Sequence, residues 1–187
     1  MTLTTLLPVL PLLAMLVCAA AVDLRSRRIP NVLSFTLALS GLAQSFLFGQ
    51  AIGVGPTQAI AGLAVGFALT FILFALGAMG GGDVKLMAGV GAWIGPTGVL
   101  AVFAVAAVVG MGIVLAQAAV AGRLTRLMRN TGIVTINLVH VGDVGLAHAK
   151  ATGRDCQTVD KPLPYAVPVL VATIAVTMWP LLQWRVS

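Results

Sequence analysis

Long apolar runs alternate with short polar stretches along this chain. Five runs come close to or exceed the roughly 20 residues that a helix needs to cross a bilayer, and one run is shorter. They occupy residues 2–22, 32–48, 57–79, 84–94, 97–121 and 163–184. Inside lipid, helices of this kind satisfy their own backbone hydrogen bonds. The pattern therefore predicts an all-α membrane protein with one transmembrane domain, residues 1–187.

The short run, residues 84–94, is apolar except for Lys85. At about 1.5 Å per residue it reaches roughly half of the hydrocarbon thickness. If it crosses, the polar stretches 23–31, 80–85 and 122–162 share one face and hold ten of the 11 lysine and arginine residues. If it does not cross, these charges divide almost evenly between the faces. Because positive charge collects on the cytoplasmic side, we predict about six transmembrane helices with both termini outside.

Composition excludes a soluble protein. Hydrophobic residues make up 59% of the chain and charged residues 9%, whereas a soluble domain has about a quarter charged. The net charge of +6 lies at the predicted cytoplasmic face and does not indicate a nucleic-acid partner. No lysine or arginine precedes the first run, and Arg25, Arg27 and Arg28 follow it, so we interpret it as an uncleaved span.

Metal-ligating residues are sparse. The two cysteines, Cys18 and Cys156, form no CxxC motif, and His140 and His148 have no ligand cluster around them. A zinc site needs four such ligands, or three and a water. The sequence therefore predicts no metal and no cofactor.

All five acidic residues are aspartates, and all lie on the predicted cytoplasmic face. Asp83 follows three glycines between two apolar runs. An acid costs roughly 2.5–3.5 kcal/mol at the bilayer centre and less near the interface, so such residues usually serve a pathway or a reaction. The structural alternative is a glycine-rich turn in which Lys85 neutralises Asp83. For Asp23 the alternative is a boundary charge balanced by arginines, with Asn31 capping the next helix.

Two aspartates on one membrane face can form an acid–base pair. When two carboxyls share a site, their repulsion leaves one protonated and one ionised. The ionised group can take a proton from water while the other donates to an amide carbonyl. This chemistry hydrolyses a peptide bond without a metal or a nucleophilic side chain.

At these residues the chain resembles a known family. Glycines 80–82 with Asp83 form a GxGD motif, and Lys85 follows it. The companion is Asp23, followed after five intervening residues by Ile29, Pro30 and Asn31, and Leu163-Pro164-Tyr165 is similar to the start of the family's last span. Together they resemble the type IV prepilin peptidases, which are intramembrane aspartyl proteases.

The resemblance implies a GxGD protease-like bundle in the bacterial inner membrane, with Asp23 and Asp83 as the catalytic pair facing the cytoplasm. The substrates would be prepilins or pseudopilins, cut after a short basic leader, and other pilus-assembly proteins and membrane lipid would be partners. The supporting motif residues are Gly80, Gly81, Gly82, Lys85, Ile29, Pro30 and Asn31.

The chain departs from the full-length pattern because it has no CxxC pair and no room for the zinc-binding insertion. It resembles the short form associated with tight-adherence (Tad or Flp-type) pili, and we predict no N-methyltransferase activity. In the 122–162 stretch, Arg123, Arg126 and Arg129 share a helical face that can rest on anionic lipid. Asp143 imitates the GxGD site but lacks the first glycine, so we interpret it as non-catalytic.

Three other functions stay open at this point. One is a small ion- or proton-coupled transporter that uses Asp83 as its carrier site. Another is a GxGD peptidase with a different substrate. The third is a structural pilus-assembly subunit without catalysis, which the presence of both acids disfavours.

Overall fold

The protein folds into a bundle of helices. A computed structural model describes residues 9–27, 29–52, 54–122 and 164–183, without the side chains of 50–52 and 179–183. Helices occupy 89% of this part of the chain, and it contains no strand. The helices are α1 Val9–Ser26, α2 Asn31–Ile52, α3 Pro56–Ala75, α4 Gly81–Val120 and α5 Ala166–Gln183. The prediction of an all-α membrane protein is confirmed.

Helix α4 contains a sharp reversal at Gly95. This residue has φ 74° and ψ 179°, a conformation that is practically limited to glycine, and Pro96 follows it. A β-carbon on Gly66 would lie 2.6 Å from the carbonyl oxygen of Met87 and 3.1 Å from Cγ2 of Val99. In a straight helix those two residues are about 18 Å apart. Residues 81–94 and 96–120 therefore form two antiparallel arms, and the boundary between the predicted runs 84–94 and 97–121 falls at the reversal.

The reversal lies at the opposite end of the bundle from Asp83. A β-carbon on Gly95 would be 3.9 Å from the carbonyl oxygen of Gln58 and from Val54. Val54 lies in the connection between α2 and α3, and Gln58 lies in the first turn of α3. Helical segments thus run back and forth between two ends of the bundle, and the ends that carry Asp23, Asp83 and Tyr165 are placed together.

Four helices, α1 to α4, are long and apolar enough to cross a membrane, with α4 counted as one. The apolar part of α5, Ala166–Met178, is shorter. Large apolar side chains such as Phe35, Leu39 and Ile60 point outward. Such a surface is the one that lipid tails cover. The topology with six spans stays a prediction.

The core lies where α1, α2, both arms of α4 and α5 meet. Its largest buried side chains are Leu12, Leu16, Leu37, Leu86, Met87, Val90, Val99, Val102 and Val169. The indole nitrogen of Trp93 donates to the backbone carbonyl of Leu37 at 2.8 Å and ties α4 to α2. On α3, the buried Gly62 and Gly66 face the α4 backbone, and their lack of side chains lets the two helices approach closely.

Two predicted boundaries differ from the structure. Helix α1 continues to Ser26, so Asp23 lies inside its last two turns and not in a loop. Helix α4 begins at Gly81, so Asp83 and Lys85 lie at its start. Several residues singled out in the sequence lie outside the described part of the chain: Arg28, Arg123, Arg126, Arg129, His140, Asp143, His148, Cys156 and Leu163.

Candidate active site

The predicted site residues meet at one end of the bundle. The end of α1, the connection to α2, the start of α4 and the start of α5 surround a cavity of about 450 Å³. It is lined by Asp23, Arg27, Ile29, Asn31, Gly80, Gly81, Gly82, Asp83, Pro164 and Tyr165. Two predicted motif residues, Pro30 and Lys85, are not part of the lining and stand next to it. Sequence-distant segments therefore build a single cavity that contains both carboxyls.

Asp23 is almost fully buried, with 5% of its surface exposed. Its Oδ2 accepts a hydrogen bond from the backbone N–H of Ala166 at 3.1 Å. Ala166 is the first residue of α5, and the free N–H groups of a helix start favour a negative charge. This bond joins the end of α1 to the start of α5. It compensates in part for the burial of the carboxylate.

Asp83 occupies the third position of α4 and is half-buried. Its Oδ2 accepts from the backbone N–H of Gly80 at 3.2 Å, which is the return half of a capping box, while the N–H of Asp83 donates to the backbone carbonyl of Gly80 at 3.1 Å. Asp23 is close enough to Asp83 for the two carboxyls to interact electrostatically. One carboxyl comes from a helix end and the other from a helix start, and both open into the same cavity.

The glycines before Asp83 begin a helix and do not end one. Gly80 is an extended N-cap with φ −81° and ψ 150°, and α4 starts at Gly81. The preceding helix is ended by Gly77, which has φ 78°. The N–H of Ala78 bonds the carbonyl of Leu73, and that of Gly77 bonds Phe74, which is the Schellman arrangement. Gly77 therefore ends α3, and residues 80–82 form the start of α4.

The absence of side chains at these glycines keeps the cavity open. A β-carbon on Gly80 would lie 3.1 Å from Oδ2 of Asp83. One on Gly82 would lie 3.3 Å from Cβ of Ile29 in the α1–α2 connection. Larger residues here would crowd the carboxyl or push the two connections apart. Glycine at these positions therefore leaves room for another backbone beside Asp83.

Lys85 bonds Asn31 and does not pair with Asp83. Its Nζ donates to Oδ1 of Asn31 at 2.7 Å, and both side chains are exposed. The idea that Lys85 neutralises Asp83 is therefore wrong. Asn31 is the first residue of α2, and the carbonyl of Pro30 accepts the N–H groups of Leu33 and Ser34. The amide oxygen of Asn31 thus links α2 to α4, instead of capping α2 as the structural alternative proposed.

Tyr165 brings the start of α5 to the cavity. It is the sole tyrosine of the sequence and lines the cavity with Pro164. Burial, and secondly the negative charge of Asp83, raise the pKa of Tyr165 to about 12. The phenol therefore keeps its proton across the physiological range and can donate a hydrogen bond to a group in the cavity.

Arg27 is a lining residue whose place the sequence reasoning missed. It follows α1 with φ 51°, a conformation that usually favours glycine. Its N–H donates to the carbonyl of Asp23 at 2.8 Å, which is the left-handed C-cap bond. The sequence showed only a basic cluster there. A helix that ends in this conformation usually has glycine here, so the arginine at position 27 was the signal in the sequence that could have drawn attention to it.

Comparison with known proteins adds an independent result. The model of the type IV leader peptidase family matches residues 10–115, more than half of the chain. The protein belongs to the type IV leader peptidase family. The matched range contains Asp23, residues 29–31 and the GGGD motif. No curated protein and no solved structure matches the chain.

Family membership confirms the resemblance read from the motifs and implies that the protein is a peptidase. Type IV leader peptidases are membrane enzymes, which agrees with the apolar helices. Among the described residues no group of three or more His, Cys, Asp or Glu side chains could hold a metal ion. The chemically active groups of the cavity are two carboxyls, a phenol, a guanidinium and an amide. This set is suited to moving protons and to binding a peptide backbone.

Proposed function

We propose that this peptidase hydrolyses the peptide bond after the short basic leader of type IV prepilins or pseudopilins, with Asp23 and Asp83 as the catalytic pair. The observation that carries the proposal is the shared cavity. The two aspartates are 60 positions apart in sequence, lie on different helices, and still line one space of about 450 Å³ with the GxGD glycines. An aspartate that only marked the membrane boundary would not need a second aspartate in the same cavity.

Hydrolysis by this pair follows from the protonation of two neighbouring carboxyls. The ionised aspartate takes a proton from a water molecule, whose oxygen attacks the carbonyl carbon of the scissile bond. The protonated aspartate donates to the carbonyl oxygen, and a tetrahedral intermediate forms. Its collapse breaks the C–N bond, and a proton passes to the leaving nitrogen. Because the pair titrates as a unit, the roles belong to both residues together.

The surroundings of the cavity support a membrane-embedded substrate cut at the interface. The cavity lies at the ends of apolar helices, where a polar leader can stay in water while an apolar segment enters lipid. By the distribution of positive charge, this end faces the cytoplasm, so the enzyme acts at the inner face of the bacterial inner membrane. Other pilus-assembly proteins are proposed partners.

The short form of the chain supports a narrower activity. The sequence contains two cysteines and no CxxC pair, and only residues 27–30 lie between α1, which carries Asp23, and the start of α2. We assign the protein to Flp-type prepilins and to proteolysis without N-methylation. Purified protein in nanodiscs with S-adenosylmethionine and a processed pilin should give no methylated N-terminus. Methyl transfer would contradict this part of the proposal.

The test of the proposal is cleavage of a tagged Flp-type prepilin in membranes, with the product mass identifying the cut bond. Asp23→Asn and Asp83→Asn keep the shape of the side chain and remove its charge. Asp143→Asn is the matched control, since it alters a second aspartate in a similar sequence context. We expect loss of cleavage in the first two variants only. Cleavage that survives in either would overturn the two-aspartate mechanism, and no cleavage by the wild type would favour the transporter alternative.

A further inference from the structure

A second groove begins at the candidate active site and follows α2. We name it the α2 groove, and its volume is about 670 Å³. Its lining consists of Asn31, Val32, Phe35, Thr36, Leu39, Ser40 and Ala43. These positions recur every three or four residues, so they form one stripe along a single helix face.

The surface of the α2 groove is apolar. Its three largest apolar side chains are strongly exposed: Val32 77%, Phe35 66% and Leu39 70%. The hydroxyl of Thr36 donates to the carbonyl of Val32 at 2.8 Å, and that of Ser40 donates to Leu37 at 3.0 Å. The Ser40 hydroxyl also lies 3.6 Å from Sδ of Met15 on α1. Because both hydroxyls already have partners inside the protein, the stripe presents little hydrogen-bonding capacity to an occupant.

The α2 groove is continuous with the cavity that holds the aspartates. Asn31 lines both spaces. From Asn31 to Ala43 the stripe extends about 18 Å along α2. Since α2 runs from the active-site end of the bundle toward the other end, the groove leads from the site into the depth of the predicted membrane. A chain that leaves the cavity toward lipid therefore meets this surface.

We infer that the α2 groove holds the apolar helix of the substrate that follows the scissile bond. This inference rests on the proposed function, because it requires a substrate with a polar leader on one side of the cut and an apolar segment on the other. The length of the stripe matches about 12 residues of a helix lying beside α2. In lipid such packing is driven by close van der Waals contact and not by removal from water.

Disulfide cross-linking tests the inference. Val32→Cys and Leu39→Cys are placed in a background with Cys18→Ser and Cys156→Ser. A prepilin with single cysteines at successive positions of its apolar segment is then oxidised in membranes. We expect both groove variants to cross-link, and the best substrate position for Leu39→Cys should lie about seven residues from that for Val32→Cys. Controls are Ile72→Cys and Phe67→Cys, which are exposed on the active-site half of α3.

Each result decides a separate point. Cross-links that are equally strong on α3, or that show no shift in substrate position, would overturn the inference and leave the α2 groove as lipid-facing surface. Cross-links between two copies of the enzyme in preference to the substrate would also overturn it. Wild-type cleavage without groove cross-links rejects only the groove. An absence of wild-type cleavage rejects the proposed function as well.

A blocking variant gives a second readout. Thr36→Trp places a large side chain in the middle of the α2 groove, and Ile72→Trp is the control. For a full-length prepilin we expect kcat/KM of Thr36→Trp to fall about tenfold, which corresponds to about 1.4 kcal/mol of lost binding. For a short peptide that ends soon after the scissile bond, the fall in Thr36→Trp should be clearly smaller than for the prepilin, and Ile72→Trp should match the wild type with both substrates. An equal fall for both substrates would contradict the groove assignment.

Discussion

A close backbone approach between α3 and α4 gives a sharp prediction. A β-carbon on Gly62 would lie 2.7 Å from the carbonyl carbon of Gly95 and 2.8 Å from its Cα, and it would also meet the carbonyl oxygen of Gly91. Non-bonded carbons pack at about 3.5–4.0 Å. Gly62→Ala therefore forces α3 and α4 apart by roughly 1 Å. The obstructing atoms belong to backbone, so no rotation of a side chain relieves the contact.

The expected magnitude follows from two opposing effects. Overpacking a tight core costs typically about 1–3 kcal/mol, and a backbone–backbone clash belongs at the upper end. Replacing glycine by alanine within a helix recovers up to about 1 kcal/mol. We therefore expect Gly62→Ala to lower the free energy of unfolding by about 2 kcal/mol. The matched control is Gly112→Ala in α4, where nothing lies within 4 Å of the added carbon. There the expected change is a gain of about 0.5–1 kcal/mol.

The assay is equilibrium unfolding in mixed micelles, followed by tryptophan fluorescence. Trp93 is a suitable reporter because it is buried between α4 and α2. Opposite signs for Gly62→Ala and Gly112→Ala support the packing. If both variants gained stability to the same degree, the close approach of α3 to the reversal at Gly95 would be refuted.

Three further predictions follow from the site and its frame. The phenolate absorbance of Tyr165 should titrate near pH 12 and shift downward in Asp83→Asn. Because folding raises the pKa of Tyr165, the free energy of unfolding linked to this group is fully present below the unfolded pKa near 10. It is lost as the pH rises through the folded pKa of about 12. A titration midpoint near 10 would contradict the burial of the phenol. Lys85→Met should remove the hydrogen bond to Asn31 and leave the pH profile of cleavage unchanged. A shifted pH profile would show instead that Lys85 tunes the pKa of Asp83. Gly95→Ala should destabilise the fold by about 1–3 kcal/mol, because only glycine adopts its backbone angles readily, and thermal unfolding that matches wild type would speak against the reversal.

The sequence could predict the site residues because a membrane protein of this composition has few charged residues, so each one is conspicuous. With five acids in the chain, each acid beside an apolar run stands out, and the order of Asp23, the Ile-Pro-Asn triplet and the GxGD motif identified the family. Hydrophobic runs predicted the helices. They also placed a boundary next to Gly95, although periodicity alone does not show that the backbone reverses there.

Contacts between distant segments could not be read from spacing. The N–H of Ala166 bonds Asp23 across 143 positions, and Lys85 bonds Asn31 across 54. Both depend on how the helices pack. The α2 groove was hidden for another reason: in a helix that is apolar on all sides, a functional stripe has no contrast in hydrophobicity with a lipid-facing one. Arg27 was missed because its backbone conformation, and not its charge, distinguishes it.

The central claim is that Asp23 and Asp83 act as one unit, and a double-variant cycle tests it most directly. Rates of prepilin cleavage are measured for wild type, Asp23→Asn, Asp83→Asn and the double variant, each in nanodiscs and normalised to folded protein. Removing one member of an acid–base pair should cost at least about 10²–10⁴-fold. Because residues that act together are non-additive, we expect the double variant to be no slower than either single variant. Losses that multiply, or a single variant within tenfold of wild type, would contradict the account.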